Sequence, residues 1–507
     1  MAAAPNGKTP NVVSVEGLIP DRGEPQISIA EKFMASPSLA KQSEKSSHKI
    51  RRPSDLDPMS STMLAALRDL NTRYVYVQQM AQVVRIPTLT RPEIDIYPPT
   101  VFTSSLERQK ISDQIVSRRW VDWAERHNVY KLSYDPGKPQ ITPENNLNTW
   151  LPSPCIPKQG DLALFFDYRD RLFALDDTYK DWFTAWLAYP IQFPGTKLNT
   201  ACIFWSRQTG TGKSMMGRIM CEVYGYTNST VIKEAELHSQ FNHWADGRQF
   251  VMIEEIKGAN AEKHADALKA MVTQQTVWIN KKNKAQYELK DCANYYFNSN
   301  HPDALYLDSN DRRFFVHHIG DQKYPDEKWR NEFKPWAESG GYAAIHHYLK
   351  HEVDLSKPVV GGRPYSMEPY PFSPNAAAPQ TAARTEMIVN SRSDAETWVD
   401  DLIAWPINVL NGHNTWTLCT MDELWKLFQI AYPRSSTKRK TFAAVVRARR
   451  KAVYSDNDIE LSSGKRVKLY SVAHNESDDG KRWLNGGLAL DILRAYEEEG
   501  HNDDGTV

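Results

Sequence analysis

Ala201-Cys-Ile-Phe-Trp-Ser-Arg-Gln-Thr-Gly210-Thr-Gly-Lys-Ser214, continuing as Met215-Met-Gly-Arg-Ile-Met-Cys-Glu-Val-Tyr-Gly225, governs the reading of everything around it. An apolar run, a Gly-containing turn that closes on Lys-Ser, and a Met/Ile-rich segment are the strand, loop and helix of a phosphate-binding P-loop. Gly210 and Gly212 let main-chain N–H groups approach phosphate oxygens at the positive end of a helix, with Thr211 between them. Lys213 reaches the β and γ phosphates as a point charge, and the Ser214 hydroxyl can ligate Mg2+. The full G-x-x-x-x-G-K-[ST] pattern asks for glycine at 207, where this chain carries Arg207.

A nucleotide site also needs carboxylates at the end of a neighbouring strand. Phe250-Val-Met-Ile-Glu254-Glu255 supplies them: Glu254 to hold the metal, Glu255 to polarise the attacking water. A second apolar run, Ala293-Asn-Tyr-Tyr-Phe-Asn298-Ser-Asn300-His-Pro, ends in amides. A neutral Asn at that tip can hydrogen-bond both a γ-phosphate and a water, and Asn300 is favoured over Asn298. Asp311-Arg312-Arg313-Phe-Phe-Val316 puts two guanidiniums at the mouth of another apolar strand. One of the two, undecided which, is expected to reach a neighbouring subunit's γ-phosphate as an arginine finger. The expected cofactors are therefore ATP and Mg2+.

In their order and spacing these residues resemble the superfamily 3 helicases, and more narrowly the helicase part of phage and plasmid primase-helicase proteins. The resemblance runs roughly from Asn145 to Val472. It takes in Asn146-Leu-Asn-Thr-Trp150, Phe241-Asn242, Glu254-Glu255, Ser299-Asn300-His301, Asp311-Arg-Arg-Phe314, Gly340-Gly341 and Glu396-Thr-Trp-Val399. It implies an AAA+ ATPase that assembles as a hexameric ring on single-stranded DNA and moves 3′ to 5′, unwinding forked DNA in a replication system. Two other functions remain open at this stage: a DNA-stimulated ATPase of the same fold that loads or remodels replication proteins, and a non-enzymatic origin-binding adaptor.

Lys and Arg together number 62, as do Asp and Glu, so the formal net charge is zero and any nucleic-acid surface must be local. Val277-Trp-Ile-Asn280 and Gln286-Tyr-Glu-Leu289 read as two short strands around a lysine-bearing turn. The resemblance points this hairpin into the ring channel, with Lys282 as first choice for gripping phosphate and Lys281 and Lys284 beside it. An ordinary charged hairpin tip has the same appearance. The second surface runs from Arg434 to Lys468. A helix over 441–452 and a strand pair ending at Tyr470 give the layout of a winged helix, with Arg447, Arg450, Lys451, Lys465 and Arg466 as DNA contacts, although a solvated basic face would also explain them.

The whole chain, 507 residues, is 41% hydrophobic with 15 Trp and 23 Tyr, which excludes a wholly disordered protein. It carries no apolar run of membrane-spanning length and no secretory signal core, so a cytoplasmic protein is expected, in the host's cytoplasm if phage-encoded. Five scattered cysteines give neither a disulfide framework nor a zinc knuckle. The expected fold class is α/β. It comprises a disordered basic leader (1–58), a small α+β domain (59–158) and the ATPase core (159–355, led in by helices over 159–198). A Pro-rich linker (356–394), a winged-helix-like domain (395–485) and an acidic tail (486–507) follow. Arg108–Tyr130 reads as one helix and Pro136–Pro157 as a separator. Apart from Asp55 and Asp57, nothing resembles the carboxylate set of a primase or polymerase, so no primer synthesis is expected of this chain, although a replicative polymerase or primase remains a possible partner.

Overall fold

The computed structural model describes residues 59–257, 261–282, 286–308, 310–322, 326–361, 367–404, 418–449, 458–461, 464–471, 494 and 496. The expected leader, most of the acidic tail, and Lys284, Arg450 and Lys451 lie outside these residues. The chain divides into two compact units, Met1–Ala65 and Ala66–Val507. Helix α1 (Ser61–Arg73) begins in the first, and the rest of this description concerns the second.

Strands β1 (Tyr74–Val77), β2 (Gln82–Arg85) and β3 (Ile96–Tyr97) form an antiparallel meander, followed by α2 (Pro99–Ser105). The stretch expected as one helix over Arg108–Tyr130 is instead several short pieces. These are β4 (Lys110–Ile111), β5 (Gln114–Ile115), α3 (Val116–Val121) and β6 (Asn128–Val129), the last pairing parallel with β1. The reason is local: Ser112 and Asp113 adopt φ of 48° and 63° and close a two-residue turn, so the apolar positions before and after it never share one helix face. Trp120, fully buried, is held by its indole N–H donating to Asn71 Oδ1 at 2.8 Å.

The proline-rich stretch after it is built in as well. β7 (Leu132–Ser133) and β8 (Leu147–Asn148) pair parallel, and the buried Asn148 side chain closes the loop between them. Its Oδ1 accepts from the N–H of Asp135 (2.9 Å) and Trp150 (3.1 Å), and its Nδ2 donates to the carbonyl of Asp135 at 2.9 Å.

Two aromatic helices, α4 (Ala163–Leu172) and α5 (Lys180–Gln192), lead into the central sheet. In chain order the sheet and its connections are β9 (Ala201–Trp205), α6 (Lys213–Tyr224), β10 (Ser229–Lys233), α7 (Glu234–Leu237), β11 (Phe250–Glu254), α8 (Ala261–Thr273), the antiparallel hairpin β12 (Thr276–Ile279) and β13 (Tyr287–Lys290), β14 (Asn294–Ser299) and β15 (Phe314–His318). The spatial order is β10-β11-β14-β9-β15, every pairing parallel. β9 is buried along its whole length, as a parallel sheet covered on both faces requires. Cys202 and Phe204 face a core shared with Trp182, Phe183 and Trp186 of α5, whereas Ala201, Ile203 and Trp205 face the opposite core with Val251, Ile253 and Phe297. Phe183 sits 4.8 Å from Phe204, and Trp182 4.8 Å from Phe315, between ring centroids.

Beyond the sheet, α9 (Glu327–Trp336) and α10 (Tyr342–His347) close the first core. The segment expected as a linker lies against β15. Two of its prolines, Pro358 and Pro371, sit opposite each other in a two-residue pair, β16 (Pro358–Val359) with β17 (Tyr370–Pro371), where a missing N–H costs little. Ala378 N–H then donates to Arg312 O at 2.7 Å and Thr381 Oγ1 to Val316 O at 2.5 Å, before α11 (Ala382–Asn390). The C-terminal part packs α12 (Asp394–Ala404), α13 (Met421–Ala431) and α14 (Arg439–Arg449) around Trp398, Phe428 and Phe442. Between them β18 (Leu418–Thr420) pairs with β21 (Leu469–Ser471), and β19 (Ile459–Glu460) with β20 (Arg466–Val467). Among the described residues no helix is long and apolar enough to cross a membrane, and all five cysteines are free.

One buried ion pair ties the sheet's lower end together. Lys197 Nζ lies 2.9 Å from Asp291 Oδ2, both side chains 3% exposed, and also donates to Met271 O at 3.0 Å. Asp291→Ala leaves that ammonium buried without its counter-ion and is expected to cost about 3–5 kcal/mol, read as a lowered urea midpoint.

Candidate functional site

The Gly turn leaves β9 at Trp205 and enters α6 through Gly212. Gly210 and Gly212 take φ of 77° and 91°, a left-handed region where a side chain would be strained. Two phenols hold the turn from beneath: Tyr168 OH donates to Gly212 O and Tyr296 OH to Lys213 O, each at 2.7 Å. Lys213 is buried and folded back over the turn, its Nζ donating to Ser206 Oγ (3.1 Å) and Gln208 O (3.0 Å). Burial pulls its pKa below the ordinary lysine value, against the upward pull of the Asp321 carboxylate.

Arg207 stands where the common pattern has glycine, and its backbone is not among the positive-φ positions, so glycine's freedom is not needed there. Its N–H donates to Asp321 Oδ1 at 2.7 Å, and its guanidinium pairs with Glu386 of α11 at 3.1 Å.

The acidic side comes from β11. Glu254 is paired with Arg218 of α6 at 2.9 Å. Glu255, exposed, has φ of 59°, a conformation that costs a non-glycine residue about 1–2 kcal/mol. Its N–H donates to Asn298 Oδ1 at 3.2 Å. Asn298 and Asn300, two residues apart in extended chain, turn to the same side.

A cleft of ≈ 360 Å³ gathers part of these groups, and neither Glu254 nor Arg207 is among the residues that line it. From the sequence reading it brings together Gly210, Thr211, Gly212, Lys213, Ser214, Glu255 and Asn300; the structure adds Arg218, Arg330 of α9 and the second-choice Asn298. Arg330 sits on an amphipathic helix, and nothing in its spacing separates it from other surface arginines. Among the described residues no group of three or more His, Cys, Asp or Glu could hold a metal alone. The donor set does suit Mg2+, which takes hard oxygens, typically one or two carboxylates plus substrate phosphates: Ser214 Oγ and the Glu254 carboxylate, once released from Arg218, are of that kind.

Arg312 and Arg313 are not at this cleft. Phe314 aligns with Ala201, and His318 with Trp205, so both arginines stand at the opposite end of the sheet, beyond the whole length of β15, about 16–20 Å away along the chain direction. Arg312 is exposed, while Arg313 reaches Asp311 at 3.5 Å.

The β12–β13 hairpin is clamped to the preceding loop by Asn242, whose Nδ2 donates to Trp278 O and whose Oδ1 accepts from Asn280 N–H, both at 2.7 Å. Lys281 is spent on Asp246 at 2.5 Å, but Lys282 is exposed. The sequence reading passed over Trp278, which is 61% exposed on the hairpin's outer face; an indole standing out of a strand is the signal that marks it. In the C-terminal part Lys465 pairs with Asp422 (3.5 Å) and Arg466 with Glu460 (3.2 Å). Arg447 is exposed and its Nε donates to Tyr470 OH at 3.4 Å.

Known proteins resemble parts of this chain. Residues 204–313 match a family model described as a family of unknown function, DUF5906. A DNA primase-polymerase of Nitratiruptor phage NrS-1 is 28% identical over 213 residues, 40% of this chain and 29% of that protein, so the match spans less than a third of the relative's length. The apo structure of the NrS-1 C-terminal region, 305–718, superposes with a TM-score of 0.56 at 17% identity, over 82% of this chain and 100% of that one. A second form of the same region gives 0.54 at 17% identity over 81% and 99%. At such identity the structural likeness concerns the fold.

Arg207→Gly, which removes two exposed ion pairs and restores the common loop sequence, is expected to shift stability by no more than about 1 kcal/mol. Chemical unfolding of the variant checks this.

Proposed function

We propose that the chain is an ATP- and Mg2+-dependent DNA helicase of the AAA+ type, of superfamily 3, working in phage or plasmid replication as a hexameric ring on single-stranded and forked DNA. The observation that carries the reading is the meeting in one cleft of the Lys213-Ser214 turn, Glu255 and the Asn298/Asn300 pair. Main-chain N–H groups of 210–214 take the phosphates, and Lys213 exchanges Ser206 and Gln208 for phosphate oxygens. Glu255 orients and polarises the attacking water, and Asn300 hydrogen-bonds beside it. Ser214 and Glu254 would hold Mg2+, which supplies charge neutralisation between the phosphates.

The distance of Arg312 and Arg313 from their own chain's cleft suits a finger that serves a neighbouring copy's. Likeness to the C-terminal region of a protein named a primase-polymerase supports a replication role and makes a polymerase or primase the natural partner.

Lys213→Ala is expected to abolish ATP hydrolysis with an unchanged far-UV spectrum; normal turnover in this variant refutes the site. A forked duplex separated in the presence of ATP establishes unwinding, whereas DNA-stimulated hydrolysis without separation leaves a loader or remodeller of replication proteins.

On the DNA side, Lys282→Ala should reduce the slope of log affinity against log salt for single strands by about 0.7. Lys281→Ala should change it less, because Asp246 already neutralises that ammonium. Equal slopes for both variants and the parent chain exclude the hairpin as a phosphate grip.

A further inference from the structure

We propose that the acidic run at 497–504 is an intramolecular occupant of the basic face of the C-terminal part, and that DNA must displace it before binding there. The inference goes beyond the nucleotide cleft and holds whether or not that cleft hydrolyses ATP. Between 434 and 468 the sequence places eleven Lys and Arg against three Asp and Glu, whereas 497–504 holds five Asp and Glu with no Lys or Arg. In a chain of zero net charge these are two local excesses of opposite sign.

The fold brings the root of the run to that face. Tyr496, 5% exposed, packs with Leu418, Ile459, Leu461 and Leu469, and its OH donates to Glu423 Oε1 at 2.8 Å. Glu423 lies in the first turn of α13 beside Asp422. The Asp422 carboxylate is shared by two cations, Arg439 at the start of α14 and Lys465 next to β20, the latter at 3.5 Å. Glu497 therefore follows an anchor fixed to the same helix start that carries this cation pair. Asp422 also shows how the face takes a carboxylate, with one oxygen on each of two cations from separate elements. Around that pair Arg434, Lys438, Lys440 and Arg447 are exposed.

Residues 497–504 lie outside the described residues, so what they can touch is decided by reach. Eight extended residues span at most about 26–29 Å. Helix α14, with 11 residues, is about 16 Å long, so both of its ends are within range of the run. An exposed carboxylate–cation pair is weak in isolation. A short tether raises the local concentration to about the millimolar range, which lets five carboxylates hold a face that the same peptide in solution would not. Duplex DNA, with one charge per ~1.7 Å of its axis, is dense enough to displace them. The occupant thus filters ligands, admitting densely charged duplex and turning away sparse polyanions.

The test uses the full chain without nucleotide, and a variant carrying Glu497→Gln, Glu498→Gln, Glu499→Gln, Asp503→Asn and Asp504→Asn. The probe is a short blunt DNA duplex. A carbodiimide, which joins a carboxylate directly to an amine, is added at low salt, and the links are mapped by mass spectrometry. Links from 497–504 to Lys438, Lys440 or Lys465 of the same chain are expected, and duplex should abolish them. The neutralised variant should bind duplex at least about fivefold tighter at about 0.05 M salt, with the gain falling below about twofold near 0.3 M, because salt weakens the competitor too. Absence of these links, links that bridge isotopically light and heavy chains, or links that survive duplex overturn the proposal. So does an affinity gain that is missing or equal at both salt concentrations. None of these measurements uses ATP, so failure here leaves the helicase reading standing, and failure of that reading leaves this proposal standing.

Discussion

The parallel pairing of β11, β14 and β9 is the constraint on which the rest depends. Because the strands run the same way, their carboxyl ends collect at one edge of the sheet, and the register sets the level at which each chain leaves it. Ile253 stands against Phe297, and Ser299 against Trp205. Glu255, Asn300 and the Gly turn therefore emerge side by side although they are far apart in sequence. Both faces of the sheet are sealed by aromatic and aliphatic cores, so this edge is where polar groups can gather without being buried in hydrocarbon. The amino-terminal edge receives the opposite chemistry, the Asp311-Arg-Arg run and the Lys197–Asp291 pair.

Much of this was legible because strong local signals coincide. Four apolar runs, at 201–206, 250–255, 293–299 and 314–316, mark strands of an α/β domain, and the Lys-Ser pair singles out the first of them; the strand over Ser229–Lys233 shows no comparable signal. The strands of the β12–β13 hairpin could likewise be read from Val277-Trp-Ile and Tyr-Glu-Leu289. What could not be read depends on backbone sign and on partners distant in sequence. Ser112 and Asp113 look no different from helix residues until their φ turns positive, and that alone dissolves a helix expected over 108–130. The prolines of 356–394 announce an irregular chain but not that it packs along β15, a fact decided by Thr381 and Ala378 bonding to the edge strand.

Asparagine is where the sequence is most ambiguous and the structure most specific. Asn148, Asn228, Asn242 and Asn294 each bridge segments through both ends of one amide. Asn228, for example, accepts from Tyr134 OH at 2.9 Å and donates to Leu151 O at 2.8 Å. Asn294 accepts from Leu198 N–H at 2.8 Å and donates to Thr196 O at 3.0 Å. Each is a joint that fixes two loops at once, and each would pass for a surface or catalytic amide in a linear reading. Asn298 differs from them only in having one end unused.

Lys213 carries a thermodynamic implication for the cleft. Two of its three ammonium protons are already committed to a hydroxyl and a carbonyl of its own turn, so an arriving anion must displace those partners to take more than one of them. Such a swap contributes only the difference between two sets of bonds, which is small, and leaves the main-chain amides of the turn to supply most of the net attraction.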